Sequence, residues 1–280
     1  MRAVSDEPRD PPPPDEPGID LEQAGYVAPD PDELPPAELG RVGDVLPWNS
    51  FVVALAWALV FLWFVVRGKT EQIEAYVAWG ATTPGGPPLE TAWRLLAATF
   101  LHGSAAHVTM NAVWMLAFGS SVEAVYSRSA FWIVYTVGGG AASAGSLAWH
   151  VWRDPGGWYT SVGGSGVTFA LGGALLASSL HLRGRLAAGR ARALAASALF
   201  ILTQSLAAGF EHPGTGNAAH ASGLVAGFAI GALLPISERL SGQRPDEDTS
   251  EAVRIVGWVS AVLALLALVA AVFRGISLGY

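Results

Sequence analysis

The sequence contains no cysteine and few charged residues. Without cysteine the chain has no disulfides, thiolate nucleophiles, cysteine-ligated zinc sites or iron–sulfur clusters. Charged residues make up 14% of the 280 residues, against about 25% in an ordinary soluble domain. Hydrophobic residues make up 51%, and they gather in uncharged runs long enough to cross a bilayer as helices. This composition excludes an ordinary soluble enzyme and predicts an all-α polytopic membrane protein.

The acidic character of the chain belongs to its first 45 residues. Residues 1–45 hold 12 of the 23 acidic residues but only three arginines, and they include the run Pro11 to Pro14. This composition buries too little apolar surface to offset the entropy of ordering, so we expect a disordered, proline-rich cytoplasmic tail. The tail lacks the features of a signal peptide and is expected to remain attached. It is interpreted either as an interaction arm or as a solvating extension.

Apolar windows of about 19 residues predict seven membrane-spanning helices. The predicted spans are residues 48–66, 105–122, 130–152, 165–182, 193–210, 218–236 and 255–273. The first span carries bulky side chains and is followed by a long loop. This pattern predicts a six-helix core within 46–236, a cytoplasmic linker at 237–254, and a seventh helix with a short C-terminus at 255–280.

The basic residues beside the spans indicate the orientation. With a cytoplasmic N-terminus, nine arginines flank the spans on the inside, and five Arg or Lys residues flank them on the outside. Because basic residues accumulate in cytoplasmic loops, we expect the N-terminus inside and the C-terminus outside, in the cell (inner) membrane. The loop 181–192 decides most of this count, whereas Arg67 and Lys69 argue weakly against it.

The third, fourth and sixth predicted spans are rich in glycine, alanine and serine. Small side chains let helix backbones approach closely in lipid, so these three should be the inner helices. The clearest case is the glycine stripe formed by Gly223, Gly227 and Gly231, which lie four residues apart on one face of the sixth span. Close packing is sufficient to account for these glycines.

Polar clusters occur where the second, fourth and sixth predicted spans begin. Polar groups in spans are costly and are a functional hypothesis by default. The clusters contain His102, His107 and Asn111 in the first case; Ser161, Gly163, Gly164, Ser165 and Gly166 in the second; and Gly216, Asn217 and His220 in the third. Since the three spans all start on the non-cytoplasmic side, we expect the clusters to lie at the same depth.

Ser165 and His220 have the chemistry of a catalytic pair. A serine at a helix N-terminus lies in a positive dipole with unpaired amide donors, which suits an activated nucleophile. His220 reaches it if the fourth and sixth spans pack along the glycine stripe, and a neutral imidazole is a general base. His107 and Asn111, four residues apart on one helix face, would supply donors to an oxyanion. No acidic residue is placed to orient His220, so the pattern predicts a Ser/His dyad.

Each of these residues also has a purely structural interpretation. A serine among glycines usually serves packing, a histidine at a helix entrance often lies at the interface, and an asparagine often bonds a neighbouring helix. A membrane metal or haem protein is a further alternative, but no two histidines have HExxH-type spacing, and several lie on opposite sides. The six histidines are His102, His107, His150, His181, His212 and His220. We expect no metal and no cofactor.

Five motifs, in order and spacing, make the sequence resemble the rhomboid intramembrane serine proteases. They are Trp93-Arg94, His102-x4-His107-x3-Asn111, Gly119-x3-Glu123, Gly163-Gly164-Ser165-Gly166 and Ala219-His220-x2-Gly223-x3-Gly227. The resemblance covers about residues 48–236. It implies that the core is a protease and that the seventh helix belongs to the family's six-plus-one subtype.

The resemblance also implies roles for single residues. Ser165 would be the nucleophile and His220 the base. The oxyanion hole would be formed by His107, Asn111 and the backbone N–H groups of Ser165 and Gly164. His102 would be a supporting hydrogen-bonding residue beside Gly163 and Gly166, and Trp93, Arg94 and Glu123 would be structural. Phe169 departs from the family, where many members carry a tyrosine that stacks on the catalytic histidine; the loop 211–217, with Pro213, is a second departure.

The resemblance implies partners as well. Transmembrane protein substrates would be cleaved near the non-cytoplasmic membrane face within the lipid bilayer, and no nucleic acid is expected. The alternative is a non-proteolytic rhomboid-like binder or chaperone of membrane proteins. Such proteins usually lack the serine or the histidine, and both are present here.

Overall fold

The computed structural model describes residues 47–85, 91–181, 216–236 and 249–280, with the isolated positions 196, 199 and 203. Within these ranges the chain is helical and has no strand, apart from one antiparallel bridge between Thr82 and Ser161. This confirms the predicted all-α class. The predicted tail 1–45, the fifth span 193–210, the loops 181–192 and 211–217, and the linker 237–254 lie wholly or mostly outside the described residues.

The described ranges contain eight helices, numbered here in chain order. They are α1 Trp48–Val66, α2 Ile73–Ala78, α3 Arg94–Ala97, α4 Ala105–Val125, α5 residues 128–153, α6 Ser165–His181, α7 Asn217–Leu233 and α8 Glu251–Ser277. A 3₁₀ turn, Ala98–Phe100, extends α3. Single π-helical turns interrupt α4 at Met115–Gly119 and α5 at Val134–Gly138.

Among the described helices, α1, α4 and α8 are long and apolar enough to cross a membrane. α1 coincides with the first predicted span, and α4 begins at the predicted residue but continues to Val125. The third, fourth and sixth predicted spans form α5, α6 and α7, of which α7 is apolar but only 17 residues long. The protein is therefore a helical multi-pass membrane protein, while the count of seven spans stays a prediction.

The helix α6 lies at the centre of the bundle, with most of its side chains buried. The glycine stripe of α7 faces it. A Cβ atom at Gly223 would overlap the carbonyl oxygen of Gly166, and one at Gly227 would overlap that of Ala170. The two backbones thus approach as closely as glycine allows, which holds the N-terminal ends of α6 and α7 side by side.

The first turn of α1 is held by a carboxylate from α4. Glu123 is fully buried, and its side chain accepts hydrogen bonds from the Ser50 N–H (2.9 Å), the Ser50 hydroxyl (2.6 Å) and the Asn49 N–H (3.3 Å). The first N–H groups of a helix have no partner within the helix and carry a partial positive charge, so an anion satisfies both needs. This contact joins the C-terminal end of α4 to the N-terminal end of α1.

Glu123→Gln is expected to destabilise the protein, because the amide group removes the negative charge and offers N–H groups to donors. Loss of charged hydrogen bonds at a buried site costs about 1 to 3 kcal/mol. Thermal unfolding in detergent, followed by tryptophan fluorescence, measures the change. Glu71→Gln alters an exposed carboxylate and is the matched control; equal unfolding temperatures for the two variants would contradict this role of Glu123.

Candidate active site

The packing of α6 against α7 brings Ser165 and His220 together. His220 Nε2 lies 2.8 Å from Ser165 Oγ. Ser165 is the first residue of α6, and His220 lies in the first turn of α7. In the tautomer that carries its proton on Nδ1, the imidazole accepts the hydrogen bond from the serine hydroxyl. This geometry suits transfer of the serine proton to the histidine.

Phe169 determines the orientation of the His220 ring. It lies one turn after Ser165, and its ring stacks on the imidazole with centroids 4.2 Å apart and planes 3° from parallel. His220 is buried, and its Nδ1 has no hydrogen-bond partner among the residues described. The aromatic stack therefore fixes the ring plane without help from a carboxylate on Nδ1.

His107 and Asn111 lie beside Gly163. Gly163 belongs to the serine loop, the segment 161–164 that leads into Ser165. Gly163 has a φ of +129°, a conformation that side chains rarely adopt, and a Cβ there would come within 2.8 Å of the His107 ring. The Asn111 side-chain nitrogen lies 3.8 Å from the same Cβ position. Asn111 is only 4% exposed, and this nitrogen has no hydrogen-bond partner in the described ranges. The site thus holds a buried donor that nothing in the described chain satisfies.

His102 supports the serine loop through a hydrogen bond from Gly164. It is 1% exposed, its Nε2 accepts a hydrogen bond from the Gly164 N–H (3.3 Å), and its carbonyl accepts one from the Tyr76 hydroxyl (3.1 Å). Burial, and to a smaller extent the neighbouring His107, lowers the pKa of His102 to about 3. The ring is therefore neutral, with its proton on Nδ1. The Gly164 N–H, which the family resemblance assigns to the oxyanion hole, has His102 as its acceptor.

Backbone hydrogen bonds anchor the loop that precedes Ser165. The Gly163 N–H donates to the carbonyl of Ala98 (2.9 Å), and Thr82 and Ser161 exchange two backbone hydrogen bonds of 3.0 Å each. The segment between α2 and α4 thus holds the loop that leads into Ser165 through backbone hydrogen bonds. Residue types do not indicate these contacts, because pairing between backbones requires no particular side chain.

Trp93 and Arg94 stabilise the turn that follows α2. Arg94 Nη1 donates to the carbonyls of Val77 (2.8 Å) and Ala81 (2.9 Å). The Trp93 ring covers Gly80, whose φ of +98° and lack of a Cβ allow this contact. The structure places both residues on this turn, and neither lines the cavity that contains Ser165.

Ser165 and His220 open into a cavity of about 610 Å³, which His107 also lines. Its far wall comes from α5 and from the segment before the serine loop, where the rings of His150 and Tyr159 stack with centroids 3.7 Å apart. From the sequence, His150 was a candidate only as a metal ligand, and no motif included Tyr159. The space beside Ser165 is large enough for a segment of polypeptide.

Comparison with known families identifies the family to which the chain belongs. The family model described as "Rhomboid domain" matches residues 89–236, which is more than half of the chain. The protein is a member of the rhomboid family. The family resemblance predicted from the five motifs is therefore confirmed.

Three curated relatives share this region. The chain is 30% identical over 188 residues to "Rhomboid protease GluP" of Bacillus subtilis (strain 168), covering 67% of this chain and 35% of that protein. It is 31% identical over 142 residues to "RHOMBOID-like protein 5" of Arabidopsis thaliana, covering 51% and 44%. It is 33% identical over 145 residues to "RHOMBOID-like protein 6, mitochondrial" of the same plant, covering 51% and 43%. The match spans less than half the length of each relative.

Proposed function

We propose that the protein is an intramembrane serine protease that cleaves transmembrane helices of other membrane proteins. The observation that carries the proposal is the 2.8 Å contact between Ser165 Oγ and His220 Nε2, which opens into a cavity. A serine and a histidine at this distance form the nucleophile and base of acyl-transfer chemistry. Membership in the rhomboid family and similarity to a relative named as a rhomboid protease support the same function.

Ser165 attacks the peptide carbonyl while His220 Nε2 takes its proton, which forms a tetrahedral intermediate. The negative oxygen accepts hydrogen bonds from His107, Asn111 and the Ser165 N–H. His220 then returns the proton to the leaving amine, and water hydrolyses the acyl-enzyme. The unpaired side-chain nitrogen of Asn111 supports its part as a donor. Because the Gly164 N–H already donates to His102, this amide positions the loop instead of binding the oxyanion.

Proteolysis here uses a dyad in which Phe169 takes over the orienting function of an acidic residue. The ring stack holds Nε2 towards Ser165, and the aromatic face lies parallel to the imidazole. When His220 becomes positively charged during the reaction, the π-face of Phe169 stabilises the cation.

The substrate must expose a backbone carbonyl that a membrane helix normally hides in its own hydrogen bonds. We therefore expect cleavable helices to contain small or helix-breaking residues near the cleavage site. The cavity lies where α4, α6 and α7 begin, and the distribution of arginines favours the non-cytoplasmic side for this end. Cleavage is expected near that membrane face.

The direct test is incubation of the protein, reconstituted in liposomes, with a panel of fluorescent single-span substrates, followed by mass spectrometry of the products. Cleavage within or beside the span, near the non-cytoplasmic end, is the expected result. A folded protein that binds these substrates and cleaves none of them would reject the protease proposal in favour of a binder or chaperone.

Asn111→Ala is expected to leave the fold intact and to lower the cleavage rate by about 10²- to 10³-fold, as for loss of one oxyanion donor. The rate is measured with the same liposome assay at saturating substrate. Thr109→Ala, an exposed position on the same helix, serves as the control. A rate for Asn111→Ala within about threefold of the parent would remove Asn111 from the mechanism.

A further inference from the structure

A second cavity, of about 650 Å³, lies at the C-terminal end of α8. It is formed by α2, by Arg94 and by the last turns of α8, and it shares no lining residue with the cavity at Ser165. Its charged residues are Glu74, Arg94 and Arg274. The lining thus includes two guanidinium groups.

Arg94 is held rigidly in this wall. Its two hydrogen bonds to the carbonyls of Val77 and Ala81 fix the plane of the guanidinium. Partial burial lowers the pKa of Arg94, and the positive charge of Arg274 lowers it as well. The two arginines therefore repel each other across the cavity, and an anion between them would relieve that repulsion.

Arg274 contributes the second guanidinium group of this wall. Neither a hydrogen bond nor an ion pair to its guanidinium occurs within the described part of the chain, and Glu74 forms an ion pair with neither arginine there. Arginine recognises phosphate groups with paired, charge-assisted hydrogen bonds. An unpaired arginine beside a second, fixed arginine is the donor set that a phosphate group requires.

The surroundings of this cavity indicate a lipid as the source of the phosphate. Trp158, 65% exposed, and Tyr280 lie on its rim, and such aromatic side chains favour the level of the lipid headgroups. On the preceding turns of α8, an apolar groove of about 630 Å³ runs between Leu268 and Ser277 and includes Phe273, 75% exposed. A cavity lined by two arginines, next to an apolar groove, fits the two ends of a phospholipid.

We propose that this cavity binds the phosphate group of an anionic phospholipid through Arg94 and Arg274, with an acyl chain along the apolar groove of α8. Such a lipid would tie the end of α8 to α2, whose Tyr76 hydroxyl donates a hydrogen bond to the His102 carbonyl. The inference does not depend on proteolysis, since none of its residues is part of the Ser165 site.

Arg274→Gln is expected to weaken binding of a phosphatidylglycerol by about tenfold or more, as for loss of a charged hydrogen bond. Native mass spectrometry of the full chain in dodecyl maltoside, titrated with dimyristoyl phosphatidylglycerol, gives the Kd. Arg274→Lys keeps the charge but loses the paired donors, so an intermediate Kd is expected. Arg254→Gln, at the opposite end of the same helix and also exposed, removes the same charge and should keep the parent Kd.

Three results would overturn the proposal. The first is a Kd for Arg274→Gln equal to that of the parent. The second is an equal loss in Arg254→Gln, which would mean that only the overall charge matters. The third is inorganic phosphate binding as tightly as the lipid, because the acyl chain would then contribute nothing. Unfolding temperatures measured without lipid should be equal for the parent and Arg274→Gln, which separates binding from folding.

Discussion

Alanine in place of Ser165 is expected to abolish labelling of the purified protein by a fluorophosphonate probe and to reduce substrate cleavage by about 10⁴-fold or more. The probe forms a covalent bond only with a serine whose hydroxyl is activated by a base. His220→Ala should give the same loss, since its Nε2 is the atom 2.8 Å from the serine oxygen. Gel fluorescence and intact mass measure the labelling.

The fold should survive both substitutions. Ser165→Ala removes one hydroxyl and leaves the stack of Phe169 on His220 in place, so its unfolding temperature should stay close to that of the parent. Ser179→Ala, at the other end of α6, is the control that should keep full labelling. Persistent labelling of Ser165→Ala would show that the reactive serine is a different residue. Absence of labelling in the folded parent and in all variants would argue against an activated serine.

The meeting of Ser165 and His220 follows from features that a sequence displays. The glycine stripe predicts that two helices approach closely, and the alternation of spans predicts that both residues lie at the same end. Both arguments use residue type and spacing, and the structure has the pair in contact. The roles of the two residues in catalysis stay predictions until the labelling is measured.

Other parts of the site depend on contacts that require no particular type of residue. The bridge between Thr82 and Ser161, and the bond from Gly163 to Ala98, join backbones far apart in the chain. Helical periodicity does not indicate the π-helical turns in α4 and α5. The cavity shared by Arg94 and Arg274 depends on how α8 lies against α2, which no local pattern specifies.

The Gly164 amide has a contact that its motif does not indicate. The family resemblance implies that the Gly164 and Ser165 amides are both oxyanion donors. In the structure the Gly164 N–H points to His102 Nε2, and a Cβ at this position would overlap the Trp57 ring. Gly164 thus supports the loop in a position that only glycine can occupy.

Gly227→Leu is expected to have the largest effect on folding, because a Cβ at this position already overlaps the carbonyl oxygen of Ala170 on α6. A backbone oxygen cannot move aside as a side chain does, so the two helices must separate along the glycine stripe. Overpacking of a tight core costs up to about 3 kcal/mol, and more where backbone must move. Unfolding temperature and the monodisperse fraction in size-exclusion chromatography measure the loss.

The same substitution links the packing of the bundle to its chemistry. Separation of α6 from α7 would also break the 2.8 Å contact between Ser165 and His220, so labelling should fall together with stability. Gly227→Ala should lie between the parent and Gly227→Leu. Ala229→Leu introduces the same side chain on the exposed side of α7 and should behave as the parent. If Gly227→Leu matched Ala229→Leu in stability and labelling, then close contact of α6 and α7 would not be what holds the catalytic pair together.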